Sequence, residues 1–572
     1  MMKTTLLKKS LLLITLAVTT HACRYLDPEE YTIRTAGQVR EAFYYYQSLR
    51  AGAYTNLPTG YNTIGNSWLA AACDEAEDVN PAEAIQSLNI GNWDQFSNPD
   101  DRWNTLYAGI RKTFDFTLLT DGQDWEAYRL SDPTEYQKRI YLTDMYRNEM
   151  TFLRAFYYFE LIKRYGGVPL VKKKLDVNAE LPEMRQMERA EFAQCVDYIV
   201  DQCDLAAEKL PETHELSDAG SPTKGAALAL KARTLLYAAS DLFNRTDNSD
   251  PVTGYVGGDR RQRWEIAARA ALAVLNMSAY RLNDSYSALF LLGSAQNKEI
   301  IFERRRGLQN SFETLNYPIT FNGGKTGTCP SQNLVDSYEM QKDGSAFDWN
   351  APGLQTHPYE GRDPRLKMTI VVNGSKWSGR DIEIWEGGRD GNPIDKTTKT
   401  GYYLRKYVVE NLDLTKNNTS YHQWIYFRLA EMYLNYAEAM NEAFGPDYTD
   451  SEFTLSARDA VNLVRGRADV KMPPFPAGMT QESFRARLRN ERRVELAFED
   501  HRFWDLRRWD QAAQGIGGEL RGVRITKGNG DGFIYQPFVV EKRNYVPRMA
   551  LYPIPASEIS KSNGHLKQNP DW

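Results

Sequence analysis

Phe152-Leu-Arg-Ala-Phe-Tyr-Tyr-Phe-Glu-Leu-Ile-Lys-Arg-Tyr-Gly-Gly-Val-Pro-Leu170 is the stretch that decides the fold. Phe152, Phe156 and Phe159 recur at helical spacing, and Leu153, Leu161 and Ile162 widen the apolar stripe. Gly166–Gly167 stops the helix, and Pro169 forbids its resumption. Outward from this segment the same period returns. Val196, Ile199, Val200, Cys203 and Leu210 outline a second helix that ends before Pro211, and Ala226–Tyr237 is an alanine-rich third. Trp264, Ala267, Ala268, Ala271, Val274 and Leu275 mark a fourth; Leu429, Met432, Tyr433, Tyr436 and Ala439 a fifth. Val461, Leu463 and Val464 belong to a sixth, and residues 480–499 make a charged amphipathic seventh. Residues 39–51 and 103–119 also scan as helical.

The helices come in neighbouring pairs with small residues where they would touch. Trp264-x-x-Ala267-x-x-x-Ala271, with the alanine-rich helix before it, resembles a tetratricopeptide hairpin. The connections are long for a plain solenoid. Residues 53–102, 278–330 and 341–426 are rich in Gly, Asn, Pro, Trp and Tyr, with strand-like runs at Ile300–Phe302 and Met368–Val372. Loops of this length in a compact protein are usually functional or disordered, and their aromatic content argues against disorder.

The chain has 572 residues, with 70 Lys+Arg against 75 Asp+Glu. This near balance argues against an electrostatic grip on nucleic acid, which needs a basic face. The 34 Tyr, 23 Phe and 12 Trp suit both a large core and stacking on sugars. Composition does not separate the two.

The first residues read as an export signal. Lys3, Lys8 and Lys9 form a positive n-region, Leu11–Val18 is an apolar run too short to span a membrane, and small residues lead to Ala22-Cys23. Removing residues 1–22 takes away three lysines and no acids, so a mature net charge of −8 follows from the −5 of the whole chain. Cys23 resembles a bacterial lipobox cysteine, with Thr20 where Leu or Val is usual; its thiol would be diacylated. Asp27, Glu29 and Glu30 follow closely.

Cys73, Cys195, Cys203 and Cys329 read as structural or free thiols. Cys195 and Cys203 lie on one helix about 12 Å apart, too far for a disulfide. The scattered histidines form no ligand pair, so neither a metal site nor a cofactor is expected. Glu491, Glu495 and Glu499 fall at i, i+4 and i+8, beside Arg492 and Arg493. Such a cluster can serve acid–base chemistry, but a salt-bridged helix in a repeat is the expected reading.

Seven ordered segments carry a family resemblance. They are the opening stretch, Thr223–Ala239, Phe427–Ala439, Val461–Ala468, Glu491–Trp509, Leu551-Tyr-Pro-Ile-Pro555 and Gln568-Asn-Pro-Asp-Trp572. Together they resemble the SusD/RagB family of outer-membrane nutrient-uptake lipoproteins, from the lipobox to the last residue. The family more often has Gly where Asp571 stands. The resemblance implies a mainly α fold in which four tetratricopeptide-like hairpins form a superhelical scaffold against a loop-rich lobe with short strands. It also implies a non-catalytic lipoprotein, anchored to outer-membrane lipid and facing the cell exterior, that delivers captured glycan to a SusC-like TonB-dependent porin. The expected organisation is a signal peptide at 1–22, a lipidated tether at 23–38, an N-terminal region at 39–330 and a C-terminal region at 331–572.

A sugar offers an apolar face of C–H bonds and an edge of hydroxyls, so its site needs exposed rings flanked by hydrogen-bonding side chains, on loops. Trp93 between Asn92 and Asp94 is the first candidate, Trp68 the second, and Tyr317 with Phe321 the third. Trp377 and Trp385 lie in a further polar insertion; Trp103, Trp504, Trp509 and Trp572 are expected to be structural. The competing functions are peptide capture, as in RagB-like proteins, and glycoside hydrolysis by paired carboxylates.

Overall fold

The computed structural model describes residues 42–176, 178–215, 218–291, 297–528, 530 and 532–572. The export signal, Cys23 and the acids that follow it lie outside the described residues.

The scaffold is a stack of helices: α1 (Phe43–Tyr54), α2 (Trp103–Leu119), α3 (Pro133–Tyr165), α4 (Phe192–Lys209), α5 (Lys224–Ala239), α6 (Arg260–Leu275), α7 (Leu429–Phe444), α8 (Ala457–Arg465) and α9 (Gln481–Glu495). Each of α1 to α6 packs on the next in chain order, α7 packs on α6, and α8 and α9 both pack on α7. Local chemistry sets the starts. Asp132 accepts from the Glu135 N–H at 3.0 Å with Pro133 just inside the helix, and Thr223, Asp259, Ser456 and Thr480 cap α5, α6, α8 and α9 in the same way.

The predicted stop of α3 holds. Gly166 sits at φ +76 with its N–H on the Ile162 carbonyl, and a Cβ on Gly167 would lie 2.0 Å from the Ala190 carbonyl oxygen. The helix starts earlier than its apolar stripe, because its first turns are exposed and carry no stripe to read. Ala226, Ala227, Ala229, Ala267, Ala268 and Ala271 are all buried where α5 and α6 meet, which lets the two backbones approach closely.

The lobe is built of two-stranded antiparallel ladders. β1 (Ala76–Asp78) pairs with β3 (Thr328–Pro330), β2 (Ile300–Gln309) with β4 (Ser420–Arg428), and β5 (Gly518–Lys527) with β6 (Phe533–Arg543). The strand expected at Met368–Val372 is shorter: a helical turn, Arg365–Thr369, runs into it, and only Ile370–Val371 pairs, with Tyr403–Leu404.

A buried ion network fastens the lobe to the stack. Arg428, at the end of β4, reaches Glu299 at 2.9 Å, Glu495 at 2.7 Å and Glu499 at 2.7 Å. Arg365 reaches Asp363, Glu491 and Glu495; Arg467 reaches Glu299 and Glu495; Arg465 reaches Glu491; Lys406 reaches Glu499 at 2.7 Å. Five cations thus meet five carboxylates, each side chain at most 2% exposed. Burial pushes the Glu495 carboxyl up, but Arg428, Arg467 and Arg365 outweigh it and hold it far below the usual carboxylate range. The three glutamates read from the sequence therefore form the salt-bridged face expected of them, with one difference. α9 ends at Glu495, and the chain then turns through Phe498 and Asp500 at positive φ, so Glu499 enters the network from a turn.

Candidate functional site

The rings selected from the sequence are packed, which corrects the expectation that they are exposed. Trp68 is 0% exposed, enclosed by Tyr61, Phe312, Tyr407, Trp424 and Phe498, and its indole N–H donates to Asp500 at 3.1 Å. Trp93 is 4% exposed, between Tyr552 at 5.2 Å and Trp572 at 4.8 Å. Tyr317 is 2% exposed; its hydroxyl donates to the Val409 carbonyl and accepts from the Leu412 N–H. Phe321 is half-buried under the Arg380 guanidinium, 4.1 Å from the ring centroid.

The physical reason is common to all four. A polar neighbour in sequence does not hold a ring at the surface: each ring turns toward partners supplied by distant segments, whether its neighbours are exposed, like Asn92 and Asp94, or buried, like Ser67 and Asn316. Asn92 and Asp94 are exposed, and Asp94 accepts the Phe96 and Ser97 N–H groups in a tight turn. The exposed ring of this loop is Phe96, not Trp93. Trp377 is buried as well, and Trp385 is half-buried beneath the Lys527 ammonium, 4.1 Å away. Trp103, Trp504 and Trp509 are buried, in agreement with their structural reading.

The loops converge elsewhere. Two adjoining concavities, of about 820 and 440 Å³, open on either side of the Val79-Asn80-Pro81 segment and share Lys396. The β1–β3 ladder holds this segment against the 317–327 loop. Thr326 ties that loop across to the next one by donating from Oγ1 to the Lys396 carbonyl at 2.7 Å. Both residues of this tie are left-handed, Thr326 at φ +67 and Lys396 at φ +59, a conformation that costs a non-glycine residue about 1 kcal/mol or more. Strain of this kind persists where surrounding contacts over-determine it, and it clusters at functional sites.

Both rims are Asn-Pro turns, Asn80-Pro81 and Asn392-Pro393, and all four residues are exposed. Glu83 accepts from the Asn66 N–H, the Asn66 amide and the Asn80 amide at 3.0–3.1 Å. Burial raises its carboxyl, but these bonds and the charge of Lys325 outweigh burial and hold it below the ordinary range. Asp78 is pushed up by burial, although Ser67 and the Asn80 N–H both donate to it. The Lys325 and Lys396 ammonium groups are exposed and have no ion-pair partner among the described residues.

The cleft therefore combines amide and ammonium donors with the apolar surfaces of Pro81, exposed Ile394 and Phe538. That is the mixture a hydroxylated ring needs: C–H faces against apolar atoms and hydroxyls against fixed polar groups. Sequence reasoning missed these residues. The signal available was the pair of Asn-Pro turns, each inside a long loop.

Two family models match the chain: one described as "SusD family" over residues 297–572, and one described as "Starch-binding associating with outer membrane" over residues 71–236. Two SusD-like proteins of Formosa agariphila are similar. One is 24% identical over 75% of this chain and 72% of its own, the other 23% identical over 74% and 73%. Among solved structures, a SusD-like protein from Bacteroides fragilis superposes with a TM-score of 0.76 at 26% identity, covering 93% of this chain and 98% of that one. A SusD-like carbohydrate-binding protein from the same organism gives 0.73 at 23% identity, over 91% and 98% of the two chains. Surface glycan-binding protein A from Bacteroides fluxus gives 0.60 at 21%, over 92% and 99%.

Proposed function

Because the chain belongs to the SusD/RagB family, we propose that it is a non-catalytic glycan-binding protein of the outer membrane, which captures oligo- or polysaccharide and delivers it to a SusC-like TonB-dependent porin. The observation that carries the reading is the cleft around Asn80-Pro81, where exposed amide, ammonium and apolar groups converge on strained, mutually tied loops. In this reading residues 1–22 are the removed signal, and diacylated Cys23 with the tether to residue 38 attaches the protein to the outer face of the membrane. No helix among the described residues is long and apolar enough to cross a membrane.

The test is a glycan array run beside a peptide library on the purified mature protein, with reducing-sugar release followed in parallel. Saturable retention of a glycan without release of reducing ends is expected. Retention of peptides alone would replace this reading with peptide capture, and release of reducing ends would make the protein a hydrolase.

A further inference from the structure

A second cavity, of about 180 Å³, lies between the Thr55–Gly60 loop, the C-terminal part of α3 and the turn that carries Asp500 and His501. It shares no lining residue with the loop-lobe cleft. Its volume is that of about six waters at roughly 30 Å³ each.

Most charges around it are already satisfied. Arg164 pairs with Asp100 and Glu160, Lys163 with Glu160, and Arg233 with Glu431. Two adjacent side chains are not. His501 is 9% exposed, and its ring nitrogens have no hydrogen-bond partner among the described residues. Asp500 takes a single bond, from the Trp68 indole, on one of its two oxygens. Burial, with the positive charges of Arg233 and Arg492, keeps the imidazole neutral, so one nitrogen donates and the other accepts. Burial lifts the Asp500 carboxyl to about 7, so near neutral pH it accepts as a carboxylate or donates as an acid. Trp424, Trp504 and Phe159 supply ring surface on the walls.

The roof is fixed in place. Three successive carbonyls, of Leu57, Pro58 and Thr59, accept from Arg304, Tyr426 and Arg306. Gly60, at φ +62, lies so close that a Cβ there would sit 1.9 Å from the Trp424 ring. The cavity is thus preformed, aromatic-walled and furnished with unspent hydrogen-bonding groups.

We propose that this cavity is a second binding site, for a small neutral polyhydroxylated molecule of the size of one pyranose ring. An anionic ligand finds no unpaired cation here, the positive charges that keep His501 neutral repel a cationic one, and an apolar one leaves His501 and Asp500 without partners at a cost. A hydroxylated ring satisfies both and lays its C–H face on the indoles.

The experiment is calorimetric titration of the mature protein with D-glucose, D-galactose, D-xylose and myo-inositol, with melting temperatures followed alongside. Thr59→Trp fills the exposed rim, and Asp500→Asn keeps both the shape and a residue tolerant of the left-handed backbone. At least one probe is expected to bind one-to-one in the millimolar range. Thr59→Trp should abolish that binding and Asp500→Asn should weaken it about tenfold, while Lys396→Gly in the cleft leaves it unchanged. Absence of binding by all four probes at about 50 mM, or binding that persists at full strength in Thr59→Trp, overturns the proposal. Neither result bears on polymer capture in the cleft, which the glycan array reads separately.

Discussion

The indole rings of Trp93 and Trp572 lie 4.8 Å apart, centroid to centroid, and tilted by 47°, so the last residue of the chain closes over a loop near its beginning. Trp572 is held there by its own N–H, which donates to the Arg548 and Leu551 carbonyls at 2.9 and 3.0 Å. Trp93→Ala should therefore cost about 3–5 kcal/mol of stability, the range for truncating a packed tryptophan. Glycan affinity should be unchanged at temperatures where the variant is folded. Denaturant unfolding and calorimetric titration of the same preparation check both halves.

In the cleft the expectation is reversed. Lys396→Gly removes an exposed ammonium while matching the left-handed backbone at that position. Glycan affinity should fall by about five- to thirtyfold, roughly 1–2 kcal/mol. The melting temperature should hold or rise, because glycine relieves the strained φ. An unchanged affinity would place the glycan elsewhere on the lobe.

The buried network gives a third expectation. Arg428→Met leaves Glu299, Glu495 and Glu499 short of their shared partner, all at most 2% exposed. Breaking a buried pair from one side costs about 3–5 kcal/mol. Arg428→Lys should recover little of it, since an ammonium cannot span three carboxylates in one plane. Urea unfolding followed by tryptophan fluorescence measures both variants.

Glu75 and Asp500 should each make stability fall as pH rises from about 4.5 toward 8, against the opposite contribution of neutral His501 below its ordinary value of 6.5. Burial, reinforced by the charge of Asp74, lifts Glu75 from 4.5 to about 8, and burial lifts Asp500 from 3.8 to about 7. Between the ordinary and the raised values the folded protein holds protons that the unfolded chain has released, so stability declines with pH across that window. The contribution is fully present below the ordinary values and lost as pH passes the raised ones. Glu75→Gln combined with Asp500→Asn should remove that decline, so that melting temperature falls less with pH between 5 and 8 than it does in the parent protein. A profile as steep as that of the parent protein would contradict it.

Cys23→Ser should move the protein from the membrane fraction to a soluble or precursor form, with loss of the diacyl mass. Unchanged fractionation and mass in the native host would defeat the lipid-anchor reading.

The helices were legible because their apolar period and the Gly166–Gly167 and proline stops are all local signals. The ion-paired role of Glu491 and Glu495 was legible for the same reason, though the partners Arg365 and Arg428 come from the lobe. Ring exposure was not legible. Asn92 and Asp94 flank Trp93 in sequence, but its burial is decided by Tyr552 and Trp572 at the other end of the chain. The cleft was hidden by the same cause, since Asn80, Lys325, Lys396 and Phe538 meet only after four separate segments have folded.

The chain leaves the helical stack after Leu275 and rejoins it at Leu429, where α7 docks on α6. The excursion thus begins and ends at one seam, and Glu299, Asp363, Arg365, Lys406 and Arg428 are its contribution to the ion network there. It has the design of an exchangeable cassette: the excursion can be replaced as one unit, bringing its own half of the cleft with Lys325, Asn392-Pro393 and Lys396, while the constant remainder supplies Asn80-Pro81 and Phe538. Those five charged residues act as the key that must fit the Glu491, Glu495, Glu499, Arg465 and Arg467 lock. A chimera that takes this excursion from a relative and retains the key should assemble; one that scrambles it should not.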